Sequence, residues 1–327
     1  MSNSLHVGCT LPTSGAAADP GALAGLGQAA EDLGFGSIWL SDHVVIPERM
    51  ESTYPYGRWT TAADQPYLDP LAGLSFLAGK TSRVRLGTHV LILPYRHPLL
   101  TAKWITTLDN LSGGRVDLGI GVGWMREEFE ALDSPSFDRR GAVTDEQVRI
   151  FQALWTAGVA GFEGEFYRFD RLGACPRPIQ QPHPPIWVGG HTRPALRRAA
   201  RLGNGWLPIG ARPPANLPPE EIAQDLAILR AEAEKVGRDW RSIDVCFSTQ
   251  LTFEPSDDTP RRPFSGSPEQ IAADAQRYVD AGVRKFVFGF GPHPPADYER
   301  RMRHFVEHVH PALSTISLSA PQTPAAS

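Results

Sequence analysis

The sequence predicts an α/β protein, a single (β/α)8 barrel. Three observations carry this. Short β-rich runs alternate with longer helical patterns along the chain. Eight such strand–helix units fit into 327 residues, the length of one large barrel. The strand runs are mostly apolar, as expected for strands buried on both faces. A doubly wound sheet is the runner-up, but it seldom needs eight regular units.

In order, the first strand is read at 5–11, and the spacing of Leu23, Leu26, Ala30 and Leu33 gives a helix over 21–33 that stops at Gly34. Strand two spans 37–41, with its helix at 71–79. Strand three, 84–93, precedes a helix over 99–111 that ends at Ser112-Gly113-Gly114. Strand four is 116–122, followed by a helix over 144–157. Then come strand 185–189 with helix 194–202, strand 206–209 with helix 220–236, strand 243–253 with helix 268–281, and strand 285–290 with helix 296–309.

Three segments exceed the repeat. A Tyr-, Trp- and Pro-rich insertion, 46–68, follows strand two. An acidic-basic insertion, 125–141, follows strand four. Residues 162–169 alternate apolar and polar like a small hairpin and lead into a proline-rich connection, 175–185. The expectation is therefore a TIM barrel with insertions at its C-terminal mouth. No second core is visible, so 1–312 read as one domain and 313–327 as a disordered tail.

Composition bounds the function. Hydrophobic residues make up 41% and charged residues 21%, ordinary for a globular protein. Thirty-two basic and 36 acidic residues leave a formal net charge of -4, which argues against nucleic acid or an acidic membrane surface as partner. Cys9, Cys175 and Cys246 are odd in number and form no C-x-x-C, so a disulfide scaffold or structural zinc is not expected and a reducing cytoplasm is. The first residues lack the basic start and apolar core of a signal peptide, and no apolar run is long enough to span a bilayer. No H-E-x-x-H or carboxylate cluster suggests a metal, and there is no Walker loop.

Barrel catalysis sits where strands end. Strand two ends in "SIWLSDHV", which puts Asp42 and His43 at the mouth, either as catalytic groups or as a turn cap and a satisfied rim histidine. Strand four, "VDLGIGVGW", alternates glycine with apolar residues. Gly121 and Gly123 clear room either for a flat ring or phosphate, or only for barrel packing. Strand five ends in Gly189-Gly190-His191-Thr192-Arg193-Pro194 as a helix begins. Close backbone approach, the helix dipole and Arg193 favour a phosphate there over a bare turn. Strand three breaks its apolar run at Thr88-His89, and Tyr95, Arg96 and His97 crowd its loop.

Three stretches, "GFGSIWLSDHVVIP", "RLGTHVLILPYRHPLLTAKWITTLDNLSGGRVDLGIGVGWMREEFEAL" and "PIWVGGHTRPALRRAARLGNGW", resemble the bacterial-luciferase-like flavin and deazaflavin oxidoreductases. The likeness is greatest to the branch that uses coenzyme F420, and it runs from about Leu5 to His310. It implies a barrel that is usually a homodimer, with Asp42 and His43 beside the redox ring and His43 the frequent catalytic histidine. It implies a non-proline cis peptide between His89 and Val90, in a bulge that supports one ring face. Val122, Gly123 and Trp124 match the loop along the cofactor, and Gly189, Gly190, Thr192 and Arg193 match the phosphate-binding turn. Two positions depart. Trp124 replaces the acid of a sugar-phosphate-oxidising relative, and His89 stands where many relatives carry a small residue.

The function these matches imply is hydride transfer between F420 and a small apolar or aromatic substrate. Asp42 would orient the site, and Trp39, Tyr56 and Trp59 would wall the substrate pocket alongside Tyr54, Tyr67 and Trp124. Arg193, Arg197 and Arg198 are candidates to meet the polyglutamate tail of F420. The alternatives are a reduced-FMN monooxygenase served by a separate reductase, and a noncatalytic flavin-binding barrel.

Overall fold

In the computed structural model, which describes residues 5–254, 261–316 and 318, a ring of parallel strands is wrapped by helices. The strands are β1 (His6–Thr10), β2 (Ser37–Leu40), β3 (Arg85–Thr88), β4 (Leu91–Ile92), β5 (Val116–Gly121), β6 (Val159–Glu163), β7 (Arg168–Gly173), β8 (Ile186–Gly189), β9 (Gly205–Leu207), β10 (Asp244–Gln250) and β11 (Lys285–Gly289). The helices are α1 (Pro20–Asp32), α2 (Pro70–Ala78), α3 (Pro98–Ser112), α4 (Arg126–Ala131), α5 (Arg140–Ala157), α6 (Arg193–Leu202), α7 (Pro219–Glu234), α8 (Pro268–Asp280), α9 (Pro295–His304) and α10 (His310–Leu313).

Among the described residues the sheet runs β3-β2-β1-β11-β10-β9-β8-β5-β4, and pairing of β3 with β5 closes it. β3 and β4 are two halves of one stave, parted at a cis peptide between His89 and Val90. The ring therefore has the expected eight staves.

The barrel interior explains several strand residues. Trp39, Trp187, Leu207, Cys246 and Val287 fill it. Trp39 is paired in register with Gly87, and Trp187 with Gly205. A side chain on either glycine would strike the facing indole, so large and small residues alternate around the taper. A second, larger core lies between the strands and the helices. Its helices start cleanly. Asp19 and Asp69 accept N–H bonds at the starts of α1 and α2, and Ser267 and Gln270 form a reciprocal cap on α8.

The 125–141 insertion holds α4, and α5 begins four residues before the expected 144. Arg140 fixes that extra turn by donating to the carbonyls of Phe137 (2.8 Å) and Gly123 (3.1 Å). The expected hairpin is β6–β7, longer at both ends than 162–169. Its turn is gripped by Glu146 of α5, which accepts from the N–H groups of Glu165 (2.9 Å), Phe166 (3.0 Å) and Tyr167 (2.6 Å).

At the C-terminus a π-helical turn, Phe305–Val309, separates α9 from α10. Leu313 and Ile316 are buried in the main core, so packing continues past residue 312. Of the expected tail, residue 317 and residues 319–327 lie outside the described residues. No helix among the described residues is long and apolar enough to cross a membrane. Cys9 and Cys246 are buried, Cys175 is exposed, and all three are free thiols.

Candidate active site

The site grows from the break between β3 and β4. Thr88 donates its hydroxyl to the Gly119 carbonyl at 2.6 Å, and its own carbonyl lies where a Gly119 side chain would be. The Val90 side chain projects over Gly121 and Gly189, which have no Cβ to oppose it. Of the two readings of Gly121, the structure supports packing: the cleared space is taken by the bulge. Gly123 turns the chain at φ +84° against Ile92 and Phe129, and its carbonyl is held by Arg140. His89 faces Trp39 edge-on at 6.5 Å. Its Nε2 is out of solvent and without a hydrogen-bond partner. Burial, then the positive charge of Arg212, pushes the His89 imidazole down to about 4, so it is neutral near pH 7.

Asp42 and His43 are adjacent and both buried, yet they serve different neighbours. Asp42 accepts the Ile92 N–H (2.9 Å) and both arms of Arg96 (2.7 and 2.8 Å). Arg96 also reaches Asp69 at 2.7 Å, so one guanidinium ties the end of β2, the start of α2 and the chain leaving β4. Burial pushes the Asp42 carboxyl up, and Arg96 opposes it. Burial likewise works against the Arg96 charge, but the two carboxylates overcome it and raise that group further. The two directions pull against each other. An arginine keeps its proton near neutrality, and the fork is bidentate, so the pair is ionised. Asp42 is thus committed to the scaffold.

His43 turns the other way. Its Nδ1 lies 2.6 Å from Oε2 of Glu128 on α4, and Glu128 is fully buried. The ring is boxed by Trp59 (centroids 4.6 Å apart), Tyr67 (5.8 Å) and Trp124 (5.9 Å). Tyr54 contacts Trp59 and Trp124 at 5.9 and 5.1 Å, and Tyr56 continues the aromatic wall to His191 at 5.9 Å. The 46–68 insertion therefore bridges the ends of β2, β5 and β8 over the mouth. Burial pushes the Tyr56 and Tyr67 phenols up to about 12, which keeps them un-ionised near neutrality. Arg212, after β9, reaches the same wall, with its guanidinium 6.0 Å from the Tyr54 ring.

At the end of β8, Gly190 takes φ +87°, a backbone that favours glycine, and its carbonyl accepts the Trp206 indole N–H at 2.7 Å. Thr192 is the N-cap of α6, yet its side chain makes no capping bond, which leaves first-turn N–H groups available. His191 Nδ1 is buried without a partner, and burial holds its pKa below the ordinary value. Arg193 and Arg197 are exposed. Arg198 is not available to a cofactor tail: it is buried, bonded to Asp145 and, at 2.9 Å, to the Gly141 carbonyl. α6 turns that face onto α5.

The structure gathers His43, Trp59, Trp124, Tyr56, His89, Val90 and the Gly189–Arg193 turn around one mouth, with Val122 on the strand-leaving loop beside them. Trp39 is set apart, in the barrel interior one layer below His89. Sequence reading assigned no role to Glu128 or Arg212, and Arg96 stood out only as part of the crowded loop after strand three. For Glu128 a signal existed. Met125, Glu128 and Phe129 share one face of a short helix at positions i, i+3 and i+4, so the acid occupies a core phase.

Residues 4–264 match the family model described as luciferase-like monooxygenase. An uncharacterized protein of Mycobacterium tuberculosis is 34% identical over 296 residues, 86% of this chain and 99% of that one. The F420-dependent glucose-6-phosphate dehydrogenase of Kineococcus radiotolerans is 29% identical, covering 90% of this chain and 93% of the relative. Among solved structures, monooxygenase RslO1 from Streptomyces bottropensis superposes with TM-score 0.74 at 25% identity, over 94% of this chain and 99% of that one.

Proposed function

The chain belongs to the luciferase-like monooxygenase family and is an oxidoreductase, and we propose that it moves a hydride between coenzyme F420 and a small organic substrate with an apolar or aromatic body. The observation that carries this reading is His43: a buried histidine, held through Nδ1 by a carboxylate, in an aromatic box at the barrel mouth. The named F420-dependent relative supports the choice of cofactor.

The residues present suit such a cofactor. His89 Nε2 and His191 Nδ1 are buried polar atoms without partners, one beside the bulge and one at the α6 turn. A flat ring with a polar edge and a side chain that carries a phosphate would supply those partners. His89 and Val90 would back the ring. The N–H groups around Gly190 and Thr192, together with Arg193, would hold the phosphate. Arg193 and Arg197, both exposed, would meet the acidic tail. When bound, the deazaflavin supplies the hydride carrier.

The chain's own residues do the rest. His43 holds or moves a proton at Nε2 on the substrate side. Trp59, Trp124, Tyr54 and Tyr56 exclude water and receive the apolar body. Asp42, through Arg96, fixes the chain that leaves the bulge. We place the enzyme in the cytoplasm, in keeping with its three free thiols.

A reduced-FMN monooxygenase with a separate reductase is the second reading, favoured by the likeness to RslO1. Fluorescence titration separates the two. F420 should bind with a Kd well below that of FMN, and His43→Ala should cut turnover about a hundredfold with cofactor affinity unchanged. Tighter binding of FMN, with no response to F420, would transfer the assignment to the second reading. Binding of F420 without turnover of any substrate would reduce the protein to a cofactor-binding barrel.

A further inference from the structure

We propose that Glu128 is the positioning residue of the site, fixing His43 with its proton on Nδ1 so that Nε2 presents a lone pair to the barrel mouth. The proposal rests on the reading of His43 as the proton-handling group. It adds the residue that sets which nitrogen does the work.

The case begins with burial. Glu128 is on α4, flanked by the buried side chains of Met125 and Phe129, and has no exposed surface. A carboxylate withdrawn from water is costly unless its lone pairs are filled. Three donors bond to them, and the buried Tyr95 hydroxyl, its pKa pushed up by burial and then by Glu128, lies close by. Oε1 accepts the N–H groups of Val44 (2.6 Å) and Val45 (3.2 Å), and Oε2 faces His43 Nδ1 at 2.6 Å. The two backbone donors fix the carboxylate plane and so aim Oε2 at the ring.

An ionised carboxylate only accepts, so the hydrogen between Oε2 and Nδ1 belongs to the histidine. The neutral imidazole then carries its lone pair on Nε2. Among the described residues Nε2 has no hydrogen-bond partner, and the aromatic box of Trp59, Tyr67 and Trp124 surrounds the ring.

A purely structural Glu128 would need only the Val44 and Val45 bonds, and glutamine preserves those. In Glu128→Gln the amide oxygen must stay on the two N–H donors, because the amide NH2 cannot face them. The NH2 is therefore turned to His43 and offers a hydrogen to Nδ1. The histidine proton must move to Nε2, and the lone pair at the mouth is lost. Aspartate keeps the charge with a shorter reach.

The test uses long-range 1H–15N correlation of the imidazole on the full chain without cofactor, at a pH where the ring's own 15N shifts show it to be neutral. Glu128→Gln should change His43 from the Nδ1-H to the Nε2-H tautomer, and Glu128→Asp should retain Nδ1-H. An Nε2-H tautomer in the parent protein overturns the proposal even if no variant folds. So does the same tautomer in parent and Gln variant.

Turnover forms a second arm. Glu128→Gln should lose kcat to within a few-fold of His43→Ala, with the F420 Kd unchanged and partial recovery in Glu128→Asp. Full activity in Glu128→Gln overturns the positioning role. Because the tautomer is read without cofactor, a failure of the F420 assignment leaves that result standing on its own.

Discussion

The main-chain carbonyl of Thr88 occupies the space that a side chain on Gly119 would need. In an ordinary strand, glycine to alanine is mildly stabilising, because glycine loses more backbone freedom on folding. Here the sign should reverse. Gly119→Ala should destabilise the barrel by about 3 kcal/mol, the range of an overpacked core, read as a lower denaturant midpoint. A neutral or stabilising result would mean that the β3–β4 bulge yields to β5.

His89 gives the fold a dependence on pH. Its imidazole is held at about 4 by burial and by Arg212, against 6.5 in the unfolded chain. Between those values the unfolded chain binds a proton that the folded chain does not. Stability is therefore complete above 6.5 and declines as the pH falls towards 4. His89→Gln should flatten this limb of a plot of urea midpoint against pH. A parallel curve would show that His89 is not buried as described.

Gly190→Val tests the phosphate turn. Valine is poorly suited to φ +87°, and its side chain would approach the Tyr56 hydroxyl and Ala195. F420 affinity should fall at least tenfold, while local strain lowers stability by only about 1–3 kcal/mol. Unchanged affinity in a fluorescence titration would place the anion elsewhere.

Leu100, Trp104 and Leu111 lie on one face of α3 and are 68%, 41% and 69% exposed. Apolar area of this kind on one helix face suits a second copy of the chain. The parent should run as a homodimer in light scattering, and Trp104→Glu with Leu111→Glu should run as a monomer. A monomeric parent would remove the expectation.

Most of the barrel was legible because strands buried on both faces leave mostly apolar runs, and most helices start with proline or end at glycine. His43 was legible for the related reason that a titratable pair closes such a run. What was not legible depends on separation in sequence. Glu128 stands 85 residues from His43, and only folding makes them partners. Arg96 was visible as crowding after strand three, but its two carboxylates come from β2's end and α2's cap. The strand-four glycines were ambiguous because a space for a ligand and a space for a neighbouring backbone leave the same pattern. Arg198 was misjudged because a run of arginines does not reveal which one the helix turns inward.

The bonds that hold the 46–68 insertion have a further consequence. Glu128 grips the chain just ahead of it at Val44 and Val45, and Glu127 grips it at Glu51 and Ser52, at 2.6 and 2.9 Å. Each of these four donors is a main-chain N–H, a group that any residue but proline carries. The clasp therefore recognises the path of the chain and not its side chains. Tyr54, Tyr56 and Trp59 can change identity while both glutamates keep their hold. A lineage, or a designer, can exchange the aromatic wall for another lining without refitting the barrel, so the lining of the mouth can drift while the His43–Glu128 pair stays put.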